Sequence, residues 1–142
     1  DIVTGTIEKA DDNTLTLTTD EGTYTFNTKI AQKVSKDGIK SGVQADVTYY
    51  GDLEDETDKP VATKIVTEDA MDSEDAKINT LSGKVAEVGA DYVVIDTADP
   101  ENTLFTFLGK EGMFDKLKVG DTATVIYEGT LTNKTITATG VK

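Results

Sequence analysis

The sequence contains no cysteine, no histidine, no tryptophan and no arginine, and it has only two prolines. Without cysteine there is no disulfide, no thiol nucleophile and no zinc-thiolate site. Without histidine the chain lacks the most common general base and the most common transition-metal ligand. The sequence also shows no Ser-His-Asp arrangement, no glycine-rich phosphate loop and no metalloprotease motif. We therefore predict that the chain is not an enzyme. A sugar-cleaving enzyme with two facing carboxylates is the alternative that its acidic composition leaves open.

Positive charge is scarce as well. The chain has 27 acidic and 14 basic residues, all of the latter lysine, for a net charge of −13. Proteins that bind nucleic acid need clustered positive charge, and anionic membrane surfaces attract the same clusters. No run of about 18 apolar residues is present, which is the length a membrane-spanning helix requires. We expect no nucleic-acid partner and no membrane insertion by this segment, whereas a cationic partner would suit the acidic surface.

Threonine is abundant, with 24 of 142 residues. It is β-branched and suits the solvent-facing side of a sheet. Between Thr14 and Thr19, threonine alternates with Leu15 and Leu17, which is typical of a half-buried strand. Together with 12 glycines for tight turns, this pattern predicts an all-β protein.

The sequence repeats itself at a shift of 78 residues, which places Gly5 on Gly83. The shift also matches Gly42 to Gly120, Tyr49 to Tyr127 and Gly51 to Gly129. Such a self-match decides the architecture, because each copy must form its own small core. We predict two domains, 1–66 and 78–142, joined by an acidic linker, 67–77. The linker acids are interpreted as a hydrated connector: Glu68, Asp69, Asp72, Glu74 and Asp75.

Each copy has the same predicted order of three strands, a short helix and two further strands. In the first copy the strands are 2–8, 14–19, 23–27, 43–53 and 61–66, with a helix in 29–36. In the second they are 81–87, 92–96, 103–108, 121–131 and 135–141, with a helical turn at 112–116. This order predicts an all-β fold with minor α content, namely two tandem five-stranded OB-like β-barrels with a short helix between strands three and four.

Two stretches carry a resemblance to known proteins. The run LKVGDTATV from Leu117 to Val125 looks like the passage from the helix to the fourth strand of OB-like barrels. The opening TGTI at Thr4, followed by LTL at Leu15, resembles small β-barrel repeats of secreted and lipid-anchored bacterial proteins, most of unknown function. The resemblance covers each copy from end to end. It implies an extracytoplasmic location and a binding or structural role, and it supplies no catalytic residues. The chain begins at Asp1, which fits either a removed leader or a trimmed start.

An acidic loop is the candidate metal site. Its carboxylates have the oxygen ligands that Ca²⁺ prefers, although their spacing is not that of an EF-hand. The proposed ligands are Asp52, Glu54, Asp55, Glu56 and Asp58. A solvated surface loop is the alternative, and the matching loop of the second copy, 129–134, has no acidic residue. No other cofactor is indicated.

Two tyrosines are candidate ligand-binding residues. Tyr50 and Tyr92 fall on the faces opposite the predicted core, where the other copy has Glu128 and Thr14. An exposed tyrosine can anchor a protein partner or stack on a sugar. The alternatives are a lone surface aromatic and burial where the two barrels meet.

The acids at the first turn, Asp11 and Asp12, match Gly89 and Ala90 in the second copy. Their simplest role is turn formation, since aspartate side chains bond the backbone of tight turns.

The leading functional hypothesis is a non-enzymatic binding or spacer module of a bacterial surface protein, with a protein or glycan partner. The alternative is Ca²⁺-dependent recognition of a carbohydrate or a protein through the loop 52–58.

Overall fold

The computed structural model describes residues 2–51, 53, 60–97, 104–129 and 135–141. The chain divides into two compact units, Asp1–Lys77 and Ile78–Lys142. Each unit is a closed barrel of β-strands. In the described part of the chain, the helical elements are two single turns of 3₁₀ helix, Glu68–Ala70 and Asp75–Lys77. The prediction of an all-β protein with two five-stranded barrels is confirmed.

The strands of the first unit are β1 (Ile2–Ala10), β2 (Thr14–Thr19), β3 (Gly22–Asn27), β4 (Gln32–Val34), β5 (Gln44–Tyr50) and β6 (Val61–Thr67). They are ordered β3-β2-β1-β5-β6-β4. A short parallel pairing of Asn27 with Val61 joins β3 to β6 and closes the barrel. Strand β4 lies outside this ring, on the edge of β6.

The strands of the second unit are β7 (Asn79–Val88), β8 (Tyr92–Asp96), β9 (Leu104–Leu108), β10 (Thr122–Glu128) and β11 (Thr135–Val141). They form a closed barrel in the order β10-β11-β9-β8-β7. Strand β11 pairs with β9 in parallel, and the other pairings are antiparallel. In the first barrel, β3 is the parallel neighbour of β6. In the second, β9 and β11 have the same relation.

The repeat is visible in the backbone. The first strand of each copy has a bulge at matching positions, between Ile7 and Lys9 in β1 and between Val85 and Glu87 in β7. Each bulge also bonds a glycine turn, because the N–H of Gly42 donates to Ile7 O at 2.7 Å and that of Gly120 to Val85 O at 2.9 Å. Bulges bend and twist a strand, and closing a small barrel needs such bends. The sequence repeat therefore preserves the devices that curve the sheet.

Each core contains an aromatic pair, from β3 and β5 in the first barrel and from β9 and β10 in the second. Phe26 and Tyr49 lie with ring centroids 5.5 Å apart, and their counterparts Phe107 and Tyr127 lie 5.9 Å apart. Both pairs are tilted, an arrangement that aromatic rings favour over face-to-face stacking. Leucine, isoleucine and valine side chains from alternating strand positions complete each core, as strand periodicity requires.

The helix predicted in 29–36 does not form. Its place is taken by β4, in which Gln32, Lys33 and Val34 pair with β6 in parallel. Val34 is buried beside Val66 and Ala70. The prediction was wrong because apolar residues in so short a segment fit a helix and a strand equally well. The open edge of β6 decides between them, and that edge is a long-range feature.

The helical turn predicted at 112–116 is replaced by successive tight turns. Met113 N–H donates to Lys110 O at 3.0 Å, and Leu117 N–H donates to Phe114 O at 3.0 Å. The turns place the Phe114 side chain in the interior, with only 1% of its surface exposed. The segment buries one large side chain without completing a helix.

Part of the segment interpreted as a hydrated connector packs on the first barrel. The Asp69 carboxylate accepts hydrogen bonds from Thr67 Oγ1 at 2.5 Å and from the N–H groups of Lys36 and Asp37 at 3.3 and 3.0 Å. These bonds, with that of Thr67 foremost, hold the pKa of Asp69 below its usual range. Ala70 is buried against the first unit. Asp69 thus has a structural role that its exposed, acidic surroundings do not suggest.

Candidate functional site

The two candidate tyrosines have different surroundings. Tyr50 is the last residue of β5, opposite Val61, and it is half-buried. Tyr92 is the first residue of β8 and is also half-buried. Its ring covers Gly89, and its hydroxyl donates to Glu87 Oε1 at 2.9 Å. That hydrogen bond is the main cause of a raised pKa for Tyr92. Tyr50 and Tyr92 stay predicted ligand contacts, on separate units.

The predicted metal ligands, Asp52, Glu54, Asp55, Glu56 and Asp58, lie outside the described residues. Among the residues that are described, no group of three or more acidic side chains is placed to hold a metal ion.

A cavity opens at the mouth of the first barrel, beside the turn that joins β1 to β2. Its volume is about 190 Å³, room for about six water molecules at ~30 Å³ each. Pockets for drug-sized ligands run to roughly 300 Å³ or more, so this cavity suits a smaller molecule. The wall carries both charged and apolar side chains: Asp11, Asp12, Lys33, Leu15, Ile39 and Ile65.

The turn at the rim is built by Asp11. Its Oδ1 accepts the N–H groups of Asn13 at 2.8 Å and Thr14 at 2.7 Å, and its Oδ2 accepts the Thr14 hydroxyl at 3.1 Å. The interpretation of Asp11 as a turn former is therefore confirmed. Asp12, beside it, has no hydrogen-bond partner in the part of the chain that the structure describes. The two neighbouring carboxylates are thus not equivalent.

Thr28 is one of the residues that line the cavity, and its hydroxyl is buried beneath the surface. Only 2% of Thr28 is exposed, yet its Oγ1 has no hydrogen-bond partner within the described residues. Its backbone is well held, since Thr28 N–H donates to Asn13 O at 2.9 Å. Buried polar atoms are nearly always satisfied, because an unmade bond costs about 1–3 kcal/mol. The Oγ1 atom is itself shielded from solvent, so the missing hydrogen bond is a cost of packing at this position.

The second barrel has no such hydroxyl at the matching position. Gly109 follows β9 as Thr28 follows β3, and its N–H donates to Asp91 O at 2.8 Å, as that of Thr28 does to Asn13 O. A Cβ on Gly109 would lie 2.5 Å from Met113 Sδ and 3.1 Å from Phe114 Cζ. Those two side chains fill the space beside Gly109. At this position one framework therefore carries a threonine in the first copy and, in the second, a glycine covered by Met113 and Phe114.

The turn at the rim also differs between the copies, because its first two residues are acidic in the first copy and uncharged in the second. Asp11 N–H donates to Thr14 O, and Gly89 N–H donates to Tyr92 O, both at 2.9 Å, so the two turns correspond. The positions of Asp11 and Asp12 are thus held by Gly89 and Ala90 in the second copy. The acidic turn residues and the Thr28 hydroxyl of the first barrel are thus replaced by Gly89, Ala90 and Gly109 in the second.

No family model matches this chain. No curated protein matches it either. None of the helices in the described ranges is long and apolar enough to cross a bilayer.

The sequence did not single out Thr28 or Lys33. A signal was present in the repeat, since the non-matching pair Asp11 and Asp12 lies beside the non-matching pair of Thr28 and Gly109. Positions at which two copies of one framework differ in polarity indicate a function that only one copy has. The empty space between these residues, however, depends on packing from β4 and β6.

Proposed function

We propose that this chain is a non-enzymatic binding module in which the first barrel binds a small polar ligand at its mouth. The observation that carries the proposal is the cavity at this mouth, about 190 Å³ in volume and lined by charged residues that include Asp12 and Lys33. A binding role needs a shaped space and a few polar groups at its rim.

The strand arrangement supports an OB-like assignment for both barrels. When β4, which lies outside the ring, is not counted, each barrel has five strands. In each, the third and fifth strands are parallel neighbours, and the first strand pairs with the second and the fourth. OB-like barrels bind ligands with the face of strands two and three and the adjoining loops. The proposed site uses the loop between strands one and two, together with the residue that follows strand three.

The second barrel would act as a spacer or as a platform for a protein or glycan partner. Met113 and Phe114 occupy the space beside Gly109, and the outer strand faces of this barrel offer surface for such a partner. We further propose, from the resemblance of the repeats, that the module works outside the bacterial cytoplasm. A signal sequence upstream of Asp1 in the full gene product would be the direct test of that location.

The binding proposal is tested by thermal unfolding of the full chain with a panel of small polar compounds. The panel includes amines, carboxylates, amino acids and polyols, each at about 10 mM. A ligand at about 100 times its dissociation constant adds ~2.7 kcal/mol to the free energy of unfolding, which raises Tm by several degrees. At least one compound is expected to raise Tm of the wild type.

The same compound is expected to leave Tm of Thr28→Leu unchanged, because the larger side chain fills the cavity. Asp12→Asn, which removes one charge from the rim, serves where Thr28→Leu fails to fold, and it is expected to reduce the rise in Tm. If no compound raises Tm, or if both variants respond like the wild type, the mouth of the first barrel is not a binding site.

A further inference from the structure

The outer face of β9 carries two leucines that the second barrel does not bury. Leu104 and Leu108 are 52% and 46% exposed, whereas Phe105 and Phe107 lie in the core and are at most 3% exposed. Successive side chains of a strand point to opposite faces, so both leucines lie on the outer face, about 13 Å apart at the usual rise of a strand. Two exposed leucines on one face form an apolar patch if the neighbouring strand is apolar there as well.

The neighbouring strand β8 extends this apolar face. Tyr92 pairs with Leu108, and Val94 pairs with Thr106. Because Val93 is fully buried, alternation places Tyr92 and Val94 on the outer face, where cross-strand partners are close enough to touch. The apolar face therefore crosses two strands. We call it the β8–β9 strip, and its members are Tyr92, Val94, Leu104 and Leu108.

The first barrel has a polar face on the matching strands, β2 and β3. Thr16 pairs with Thr25 and Thr18 with Thr23, and the hydroxyl oxygens of these pairs lie 3.1 and 3.4 Å apart. The pairs at the same places in the second barrel are Val94 with Thr106 and Asp96 with Leu104. A barrel of this framework is thus complete without exposed leucines, so barrel closure does not account for the β8–β9 strip.

The charges beside the β8–β9 strip are mostly negative. On β7, β8, β9 and the turn between β7 and β8, the charged residues are Lys84, Glu87, Asp91 and Asp96. Lys84 lies opposite Asp96 in the pairing of β7 with β8. At the other end of β8, the Tyr92 hydroxyl donates to Glu87 Oε1 at 2.9 Å, and this bond, then burial and the charges of Glu87 and Asp91, raise the pKa of Tyr92. The end of the strip at Tyr92 is therefore the more acidic one.

These surroundings select among possible occupants of the strip. A second copy of the chain would bring its net charge of −13 against an equal charge. A sugar would find no donor or acceptor on the leucines. A polypeptide with aliphatic side chains would cover the leucines, and positive side chains beside them would meet the acids, which is the usual division between the centre and the rim of an interface.

We propose that the β8–β9 strip is a docking surface for a basic polypeptide, whose aliphatic side chains pack on Leu104 and Leu108 and whose lysine or arginine side chains approach Glu87 and Asp91. This assignment rests on the proposed platform role of the second barrel and names its face and the chemistry of the partner. The contact is made by side chains, because β8 and β9 each pair with a strand on both sides and offer no free edge.

The test is a fluorescence anisotropy titration of the full chain, at fixed pH and ionic strength, with three labelled seven-residue peptides. The first has Leu-Thr-Leu between two pairs of lysines. The second replaces both leucines by threonine, and the third replaces all lysines by glutamate. The first peptide is expected to bind at least about tenfold more tightly than the others, because the second loses apolar contact and the third meets like charges.

Substitution of the leucines tests the location. Leu104→Thr combined with Leu108→Asn introduces the residues of the first copy at these places, Thr23 and Asn27, and is expected to weaken the first peptide at least about tenfold. Both positions are exposed, so the fold is expected to persist, and Leu104→Thr alone serves if the double variant fails to fold. The matched control is Val119→Thr, which changes a 67% exposed apolar residue before β10 and is expected to bind as the wild type does.

A charge variant tests the acidic end. Glu87→Gln keeps an acceptor for the Tyr92 hydroxyl and removes the charge, and it is expected to weaken the first peptide about threefold. Asp20→Asn changes the net charge equally from an exposed turn of the first barrel and is expected to have no effect.

The other outcomes would each overturn the assignment. Equal binding by the double leucine variant and the wild type, or equal weakening by Val119→Thr, would place the peptide elsewhere and leave only the general platform role. Equal affinity for the glutamate peptide would show that positive charge does not select the partner. A chain that sediments as a dimer, and as a monomer in the double variant, would make a second copy the occupant. If no peptide binds, the assignment is wrong, while the Tm panel decides separately on the cavity of the first barrel.

Discussion

Two buried threonines of the first unit are in opposite situations. Thr28 has an unsatisfied hydroxyl, whereas the Thr67 hydroxyl donates to Asp69 Oδ1 and lies 3.4 Å from Val34 O. Both residues are at most 2% exposed, so the cost of burying the side chain is similar. The difference between them is one hydrogen bond, and it gives a matched experiment.

Replacement by valine is expected to change stability in opposite directions. Thr28→Val removes an unsatisfied group and should raise the free energy of unfolding by about 1 kcal/mol. Thr67→Val breaks a bond to a carboxylate and should lower it by about 2 kcal/mol. Urea unfolding followed by circular dichroism measures both. A loss of stability in Thr28→Val would mean that its hydroxyl is already bonded.

Asp69 makes the stability of the first unit depend on pH. Its folded pKa lies below the ordinary value of 3.8, because Thr67 Oγ1 and two backbone N–H groups donate to its ionised form. A depressed pKa contributes stability above the unfolded value, and that contribution is lost as the pH falls through the folded pKa. Asp69→Asn should therefore be less stable than the wild type at pH 7, and the difference should shrink below about pH 4.

Urea unfolding at a series of pH values between 7 and 2 measures that difference. Asp72→Asn is the control, since it removes the same charge from an exposed position in the same segment. A gap between wild type and Asp69→Asn that stays constant down to pH 2 would contradict the assigned role of the carboxylate.

At the scale of elements, the first strand of each copy depends on a glycine where it meets the second strand. A Cβ on Gly83 would lie 2.5 Å from Asp96 O and 2.7 Å from Ile95 Cγ2, and Gly5 faces Thr18 O and Leu17 in the same way. Backbone atoms cannot yield cheaply, so only glycine permits this approach of β7 to β8. The repeat of glycine at a shift of 78 is a consequence of strand packing.

Gly83→Ala is expected to destabilise the chain by about 1–3 kcal/mol through overpacking. Gly140→Ala is the matched control in the same unit, because its Cβ would meet Ile126 Cδ1 at an ordinary 3.8 Å. We expect that variant to be neutral or slightly stabilising. Urea unfolding of the two variants decides the matter, and equal effects would show that the close approach is relieved by strand movement.

The sequence predicted the elements whose signal is local and missed those that depend on the fold. Strand β2 alternates threonine with leucine, and β8 places Val93 and Ile95 on its buried face; their bounds, Thr14–Thr19 and Tyr92–Asp96, are those expected from the sequence. Strand β4 is three residues long, too short for a period to be recognised, and it exists because β6 offers a free edge. The turn role of Asp11 was predictable for the same local reason.

The candidate site could be predicted only in part. Asp11 and Asp12 were visible as a difference between copies, but the lack of a partner for the Thr28 hydroxyl is a property of the packed barrel. The same holds for the packing of Met113 and Phe114 beside Gly109, in a segment that the sequence predicted to be a helical turn. Sequence periodicity describes which side of an element is buried, and it does not describe which buried atoms remain unbonded.

The acidic loop gives a separate prediction at this scale. If residues 52–58 bind Ca²⁺, millimolar Ca²⁺ at fixed ionic strength should raise Tm by several degrees, and Asp55→Ala should abolish the rise. Mg²⁺ at the same concentration is the control, because it prefers a smaller octahedral site. An unchanged Tm in Ca²⁺ would leave the loop as solvated surface charge.

At the scale of the whole molecule, the two copies share one framework but carry different residues at the end of the barrel beside the turn between the first two strands. The shared features are the bulges, the glycine contacts and the aromatic pairs, which shape and hold each barrel. The differing features are the turn acids Asp11 and Asp12 and the Thr28 hydroxyl, whose positions in the second copy are held by Gly89, Ala90 and Gly109. The proposed binding role accordingly assigns the site to the first copy.

The measurement that tests this account most directly is a titration of the ¹⁵N-labelled full chain with the panel compound that raises Tm most, followed by amide correlation spectra. The account expects saturable shifts that cluster at Asp12, Thr28 and Lys33, while the matching amides of Ala90 and Gly109 stay in place. Shifts that cluster in the second barrel, or the absence of a saturable shift at the mouth of the first, would contradict it.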